Sequence, residues 1–193
     1  MANGRVITGF SKPYVALYSE SGGIITYSDG MILARGVEVQ IEPESAEDNN
    51  FYADNIVAET GAGVFTGGTV TLTVDGLKDA ARKLILGLPT ADSAGWTAYG
   101  SEMTIPFVGL GFIVRYQEDG VESYMPIILT KVAFTVPNLD ANTQEEDIDW
   151  QTQELSATIF RADDANRNWK LEGTAVATEA LAEAAIKTKL DIQ

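Results

Sequence analysis

Residues 109–161 constrain the fold of this chain more than any other part of its sequence. Two long runs of aliphatic, β-branched and aromatic residues lie here, and the dipeptide Asp119-Gly120 separates them. Asp-Gly between such runs is typical of a tight β-hairpin turn. An acidic loop and another run of strand character follow toward Arg161. The segment therefore predicts long β-strands. We expect their faces and edges to serve as contact surfaces.

Length and composition predict a single globular domain over residues 1–193. Hydrophobic residues make up 45% of the chain and charged residues 21%, which is typical of a protein that buries a core. The formal net charge is −15, and the basic residues are scattered along the chain. Because nucleic acids and anionic membranes attract basic surfaces, this charge argues against either as a binding partner.

The chain contains neither histidine nor cysteine. Histidine titrates nearest to neutral pH, and both residues are usual ligands of zinc. Disulfides, thiol nucleophiles and Ser-His-Asp triads are therefore excluded. We expect no catalytic residues, no cofactor, no metal site and a protein that is not an enzyme.

We also expect a soluble protein synthesised in the cytoplasm. The N-terminal segment has no continuous apolar run of secretory length. No later run approaches the length that spans a bilayer. The lack of cysteine is compatible with a reducing compartment.

The N-terminal part of the sequence predicts a succession of strands. A first hairpin is expected over residues 14–27, and Asp29-Gly30 marks a second turn. Val37, Val39 and Ile41 alternate with polar residues, as in a half-buried strand. Residues 43–50, with the sequence PESAEDNN, predict an acidic loop. Further strands are expected over residues 56–60 and 68–74.

A helix is predicted to follow, because apolar residues recur at helical spacing after Asp75. Asp75 is a suitable N-cap residue and Gly87 a suitable C-cap glycine. The apolar stripe is formed by Leu77, Ala80, Ala81, Leu84 and Ile85. Residues 88–100 are rich in Pro, Gly, Ser and Ala and predict a loop that carries Trp96 and Tyr99.

The C-terminal half predicts the longest hairpin, whose strands cover residues 103–116 and 121–136, with Pro126 marking an edge or a bulge. An acidic loop (138–147), a strand (148–160), a turn (161–168), a last strand (169–176) and a helix (178–190) follow. Eight or more strands and two helices indicate a mainly β fold. We expect a β-sandwich or small barrel with a flanking α-helix.

Three residue patterns have both a chemical and a structural interpretation, and the structural one is favoured for each. Carboxylates could form a glycosidase pair, but a solvated acidic loop is favoured; they are Glu145, Glu146, Asp147 and Asp149. Asp163, Asp164 and Asn166 offer oxygen ligands for calcium, but a turn is favoured. GLG at residues 109–111 lacks the third glycine of a dinucleotide motif and indicates a strand.

The aromatic residues suggest a second function class, a soluble carbohydrate-binding β-sandwich. Stacking on sugars is one interpretation of Trp96, Trp150, Trp169, Phe51 and Tyr52. Core packing is favoured for the tryptophans. For Phe51 and Tyr52, which follow a charged loop, we favour an intersubunit contact.

Several segments, in this order, resemble the major tail protein family, the tail tube subunits of long-tailed, non-contractile bacteriophages. They are FYADN at 51–55, GTVTLTVDGLKDAARKLILG at 68–87, GLGFIVRYQEDGVESYMPIIL at 109–129, KVAF at 131–134 and DWQTQELSATIFR at 149–161. The first of these, followed by a strand and the DGL-type helix, carries most of the resemblance.

The resemblance implies a fold related to type VI secretion tube proteins and a role in the virion tail. Subunits of this family form hexameric rings that stack into a tube, and genomic DNA passes through its lumen without specific binding. Tape-measure, tail-tip and tail-terminator proteins are the expected partners. The protein is expected to assemble in the host cytoplasm.

We expect ring contacts in the hairpin over residues 103–136 and ring stacking through an assembly loop over residues 43–56. The N-terminal segment and the C-terminal helical segment, 177–193, are secondary candidates for stacking. Alternation of side chains leaves open which strand face lines the lumen. The candidate contact residues are Glu44, Glu47, Asp48, Phe51, Tyr52, Arg115, Tyr116, Tyr124 and Lys131.

Overall fold

A computed structural model gives the architecture of the chain. It describes residues 4–47, 49–53, 56–61, 63–101, 103–139, 141, 143 and 151–193, and for 49–53 and 56–61 the backbone alone. Most of the predicted acidic loop at 138–147 lies outside these ranges. So do the carboxylates considered for a glycosidase, Glu145, Glu146, Asp147 and Asp149, together with Trp150.

The described residues form ten strands and two helices, which confirms a mainly β fold. The strands are β1 (Val6–Ser21), β2 (Ile24–Ile32), β3 (Gly36–Ser45), β4 (Asn49–Ala53), β5 (Ile56–Gly61), β6 (Phe65–Val74), β7 (Val108–Glu118), β8 (Val121–Phe134), β9 (Gln153–Phe160) and β10 (Lys170–Glu172). The helices are α1 (Asp79–Leu86) and α2 (Glu179–Lys189). Across the described ranges, neither helix has the length and apolar character needed to cross a bilayer.

Eight strands belong to one antiparallel sheet in the order β2-β1-β7-β8-β9-β6-β3, with β10 added beside β8. β2 and β3 lie at opposite ends of this order, yet only residues 33–35 connect them along the chain. The four steps from Ile32 to Gly36 reach at most about 14 Å. The two ends of the sheet therefore meet at this corner, and the sheet curls into an open barrel.

The interior of the curled sheet holds the main hydrophobic core. β6 buries every second residue, with Val70, Leu72 and Val74 all pointing inward. α1 buries Ala81, Ile85 and Leu86 in the same core. Ala81 and Ile85 belong to the predicted apolar stripe, whereas Ala80 is exposed. The remaining fully buried side chains of this core include Leu33, Leu110, Phe112, Leu129, Phe134, Leu155 and Ile159.

A second, smaller core lies on the outer face of the sheet beneath α2. Ala182, Ile186 and Leu190 pack there against side chains of β1, β7 and β8. A Cβ atom at Gly111 would lie 2.6 Å from Ile186, and one at Gly109 would lie 2.9 Å from Leu190. Residues 109–111 are thus part of a strand, as predicted, and their glycines allow the helix to approach the sheet closely.

The predicted hairpins are confirmed at their turns. Asp119 and Gly120 have φ values of 50° and 81°, so both central residues of the β7–β8 turn are in the left-handed region that a type I′ turn requires. Gly22 and Gly23, at 62° and 80°, form the β1–β2 turn in the same way. The long strand pair therefore forms as the Asp-Gly dipeptide indicates.

The turn predicted at Asp29-Gly30 was wrong, whereas the edge or bulge predicted at Pro126 is a bulge. Asp29-Gly30 lies inside β2, opposite a register shift between Val15 and Leu17, so it produces a bulge and no chain reversal. Pro126 lies in a strand with neighbours on both sides, since β8 pairs with β7 on one side and with β10 and β9 on the other. Between the pairs Ile127–Glu172 and Tyr124–Val176, two residues of β8, one of them Pro126, face three residues of the other strand, so Pro126 marks a bulge.

The predicted loop at residues 43–50 was also wrong in part. β3 continues through Pro43 to Ser45 and pairs with β6, and β4 begins at Asn49. Pro43 is accommodated because β3 is an edge strand, where a missing backbone N–H breaks no ladder on its free side. β4 and β5 pair only with each other within the described residues and form a separate hairpin.

The helix boundary predictions had mixed outcomes. Gly87 is confirmed as the C-cap of α1, with φ 63° and ψ 33°. Asp75 was wrong as the N-cap, because α1 begins later, with Lys78 at the cap position. The Asp75 carboxylate instead accepts the backbone N–H of Arg35 at 2.9 Å and so ties the β2–β3 connection to the end of β6. Thr178 caps α2 through its side chain.

We predict that Gly87→Ala lowers the free energy of unfolding by about 2 to 3 kcal/mol, because a left-handed φ is strained for alanine. The new methyl group would also lie 2.3 Å from the carbonyl oxygen of Thr104. Urea unfolding followed by circular dichroism measures the change. Gly100→Ala is the matched control, since no atom lies within 4 Å of a Cβ there. Equal midpoints for the two variants would contradict the prediction.

Candidate assembly surface

The curled sheet has a long free edge strand at each end of its strand order. β2 and β3 contain 9 and 10 residues, and each has a sheet neighbour on one side. On the other side, no described strand pairs with their backbone N–H and C=O groups. Edges of this length are templates for pairing with another chain. Each subunit thus offers two different edges, one at either end of its sheet.

The segment expected to contact the next ring begins at the end of β3. Glu44 pairs in register with Gly67 of β6, and Glu47 is exposed in the connection that follows. Phe51 and Tyr52 occupy β4, with their backbone paired to Glu59 and Val57 of β5. The side chains of Phe51 and Tyr52, and the whole of Asp48, lie outside the described residues, so their contact role stays a prediction.

Arg115 and Tyr124 lie together near the turn end of the β7–β8 hairpin. They face each other across the two strands, and Nη1 of Arg115 lies 3.8 Å from Oε1 of Glu122. The Tyr124 hydroxyl donates to Glu122 Oε2 at 3.1 Å. A Cβ at Gly9 would lie 3.3 Å from Nε of Arg115, so the guanidinium covers this glycine of β1.

Tyr116 lies on the opposite face of the same strand end. The Arg5 guanidinium stacks over its ring at 4.3 Å and donates a hydrogen bond to Ser123 Oγ at 3.2 Å. The structure thus brings Arg115, Tyr116 and Tyr124 together near the turn of the β7–β8 hairpin. Each has contacts within its own chain, and their role in ring contacts stays a prediction.

Lys131 lies elsewhere, seven residues along β8 from Tyr124 and therefore about 23 Å away. Its side chain is only 13% exposed, and Nζ lies 2.5 Å from Oδ2 of Asp163. The ammonium also stands 4.2 Å from the centre of the Phe107 ring. This hydrogen-bonded ion pair lowers the pKa of the Asp163 carboxyl below its ordinary value. Lys131 therefore does not join the hairpin cluster, and its role in an assembly contact stays a prediction.

Sequence reasoning missed the polar cluster that fixes α2 to β1, here called the α2 anchor: Lys12, Tyr14, Glu183 and Lys187. Glu183 pairs with Lys12, accepts the Tyr14 hydroxyl at 2.6 Å and lies 2.9 Å from Nζ of Lys187. The Lys12 hydrogen bond, followed by those from Lys187 and Tyr14, lowers the pKa of Glu183 to about 2. The spacing of Glu183 and Lys187 is visible in the sequence, but their partners lie about 170 residues earlier.

No carboxylate cluster suited to a metal ion occurs among the described residues. Asp163 is occupied by Lys131 and by the Tyr18 hydroxyl, which donates to it at 3.0 Å. Asp164 Oδ1 accepts the backbone N–H of Arg167 at 2.7 Å. The turn interpretation of this segment is therefore confirmed.

The tryptophans divide between interior and surface. Trp169 stacks on Phe65 with ring centres 4.4 Å apart and packs against the main core, as predicted. Core packing was wrong for Trp96, which is 77% exposed. A local turn holds it at the surface, because Asp92 Oδ1 accepts the backbone N–H groups of Ala94 and Trp96. Tyr99, in the same loop, is 51% exposed.

Comparison with known proteins does not identify the chain, since no protein-family model and no curated protein matches it. The resemblance to tail tube subunits therefore rests on the sequence segments described above.

We predict that the α2 anchor weakens in acid. Because the pKa of Glu183 falls from 4.5 to about 2 on folding, its stabilisation is present above pH 4.5 and is lost as the pH approaches 2. Glu183→Gln should cost about 2 kcal/mol at pH 7, the scale of a charge-assisted hydrogen bond, and much less near pH 2. Thermal unfolding over this pH range measures the difference. Glu118→Gln, at an exposed carboxylate outside the anchor, is the control, and a gap independent of pH would contradict the prediction.

Proposed function

We propose that this chain is a virion structural protein that assembles into stacked hexameric rings and forms the tail tube of a long-tailed phage. The observation that carries the proposal is the pair of free edge strands, β2 and β3, at the two ends of one curled sheet. The sequence resemblance supplies the hexamer and the virion location. Neither catalytic chemistry nor a cofactor forms part of the proposal.

In this proposal the ring contact lies at the edge strands instead of the hairpin over residues 103–136. The two edges differ, so pairing between subunits is head-to-tail: β3 of one subunit meets β2 of the next. Head-to-tail contacts close into a ring if the rotation closes and otherwise continue as a filament. Ring closure removes the free edges of β2 and β3 and converts an aggregation hazard into an assembly device. The acidic side chains and Pro43 of β3 disfavour indiscriminate pairing until a matched edge is presented.

The separate β4–β5 hairpin supports stacking of successive rings. It belongs to its own two-stranded sheet and follows directly from the free edge strand β3. A two-stranded hairpin is marginally stable alone, so a neighbouring subunit that covers it would stabilise it. Glu44, Glu47, Asp48, Phe51 and Tyr52 are the proposed stacking residues.

The net charge of −15 suits a conduit for DNA. An acidic wall repels phosphates over about 8 Å at physiological ionic strength, so DNA slides past it without adhering. Tape-measure, tail-tip and tail-terminator proteins are the proposed partners.

A carbohydrate-binding module is the second candidate, and the exposure of Trp96 and Tyr99 in one loop favours it. Exposed aromatic rings stack on sugar faces. Glycan-array binding that disappears in Trp96→Ala would support this function, and an array without binding would count against it.

We predict that the concentrated protein, alone or with its tail initiator, forms rings or tubes of uniform diameter under the electron microscope. Val37→Lys places a cation on edge strand β3, where the native valine is 56% exposed, and should reduce tube yield at least about tenfold, a change worth about 1.4 kcal/mol. Val121→Lys is the matched control, since Val121 is 69% exposed but lies at the turn of an interior hairpin.

A chain that stays monomeric at every concentration and never enters tails contradicts the proposed function. Loss of tubes in Val121→Lys with normal assembly of Val37→Lys would move the ring contact from the edge strands to the β7–β8 hairpin. Monomer unfolding should be unchanged in both variants, since exposed substitutions shift stability by about 0.5 kcal/mol or less.

A further inference from the structure

The outer face of the sheet is divided into two parts of different character. Over β1, β7 and β8 it is apolar and covered by α2, with Ile113 and Ile128 buried beneath the helix. Over β3, β6 and β9 the outward side chains are exposed or half-buried. No described element packs over this second part, which we call the β3-β6-β9 face.

The strand registers arrange the β3-β6-β9 face in three rows, each with one residue per strand. The rows are Glu42-Thr69-Thr158, Gln40-Thr71-Ser156 and Glu38-Thr73-Glu154. Neighbouring strands lie about 4.8 Å apart and successive rows about 6.8 Å apart, so the nine side chains form one contiguous patch. The inward residues between them, such as Leu72 and Leu155, are fully buried and fix this orientation.

The chemistry of these nine residues is uniform. Three are carboxylates and six are Thr, Ser or Gln, four of them Thr, so none of the nine is basic, aromatic or aliphatic. One row further along, Glu44 on β3 extends the acidic edge, while Phe160 on β9 and Lys131 on β8, which is paired with Asp163, border the patch. At the border, Arg82 lines the same cleft as Glu154, and its guanidinium pairs with Asp79.

Such a face suits water and a passing polyanion better than a docked protein. Protein interfaces depend on aromatic, arginine or aliphatic anchors, and none of the nine residues supplies one. Duplex DNA carries about one negative charge per 1.7 Å, and its affinity for proteins comes largely from lysine and arginine. Hydroxyl groups and carboxylates stay hydrated and offer phosphates no counterion.

We infer that the β3-β6-β9 face lines the lumen of the tube and is the surface past which DNA moves. The inference rests on the proposed function. It identifies which strand face lines the lumen, a question that the alternation of side chains along the sequence leaves open. The face under α2 is excluded from the lumen, because exposing it would require the helix to leave its core and the α2 anchor to break. In the ring, β3 brings the acidic edge of this face beside β2 of the next subunit.

The lack of native cysteine makes a direct test possible, because a thiol introduced into this chain is its sole thiol. Thr71→Cys places that thiol at the centre of the β3-β6-β9 face. Ser93→Cys places it in the loop over residues 88–100, where Ser93 is exposed and has no proposed assembly role, and serves as the control. Each variant is labelled, as free subunits and as tubes, with N-ethylmaleimide or with maleimide coupled to a globular protein too wide for a DNA-sized channel.

In tubes of Thr71→Cys, we expect N-ethylmaleimide to react as in free subunits and the bulky maleimide to react at least about tenfold more slowly, because access limits thiol reactivity. The Ser93→Cys control should react with both reagents. Reaction of the bulky reagent at position 71 in tubes places the face outside and overturns the inference. Protection from both reagents places it in a subunit contact, which also overturns it.

Ser156→Cys, in the same row on β9, is the second variant. Both substitutions are nearly isosteric, so a water-facing lumen tolerates them, and failure of both folded variants to assemble contradicts the assignment. If the thiol at position 71 is protected from labelling only after a basic protein is added, the face is a docking surface for that protein, and the inference is overturned. If the wild-type chain itself forms no tubes, the proposed function fails, and this result is distinct from the labelling outcomes.

Discussion

The short connection between β2 and β3 is the constraint on which the rest of the architecture depends. These strands lie at opposite ends of the sheet order, but three residues join them. A flat sheet would place its outermost strands far apart, since neighbouring strands are about 4.8 Å apart. The sheet must therefore curl, and curling creates both the enclosed core and the corner at which Phe10 packs against Gly36.

The same curl leaves two outward surfaces that the chain treats differently. Glycines at positions 109 and 111 allow α2 to settle on one part, and the α2 anchor fixes it there through Glu183. The other part carries hydroxyl groups and carboxylates and has no described covering element. One outer surface of the sheet is thus covered by α2, and the other is polar and exposed. A free edge strand lies at each end of the strand order.

Much of the fold could be predicted because the relevant signals are local. Asp119-Gly120 defines its hairpin through the φ values that a two-residue turn requires, and Gly87 ends α1 for a similar reason. The strand predicted over residues 68–74 is part of β6. These features depend on a few consecutive residues, so the local conformation that the sequence predicts is also the one found in the folded chain.

The errors came where a distant strand changed the meaning of a local signal. Pro43 indicates a loop when only its neighbours are considered, but as part of an edge strand it pairs with β6. Asp29-Gly30 forms a bulge because β2 stays paired with β1 on both sides of this dipeptide. Asp163 lies beside Lys131, although the residues near Lys131 in the sequence give no sign of this partner. The partners of the candidate site residues were therefore less predictable than the fold.

The sequence by itself determined the mainly β class, the hairpin turns, the helix ends at Gly87 and Thr178 and the excess of negative charge. Periodicity and turn chemistry operate over a few residues and need no knowledge of the strand order. Only the tertiary structure decided which strands have free edges, which outer face α2 covers and which partners Lys131 and Glu183 acquire. Those outcomes depend on long-range pairing, which brings together residues whose separation in the chain carries no local signal.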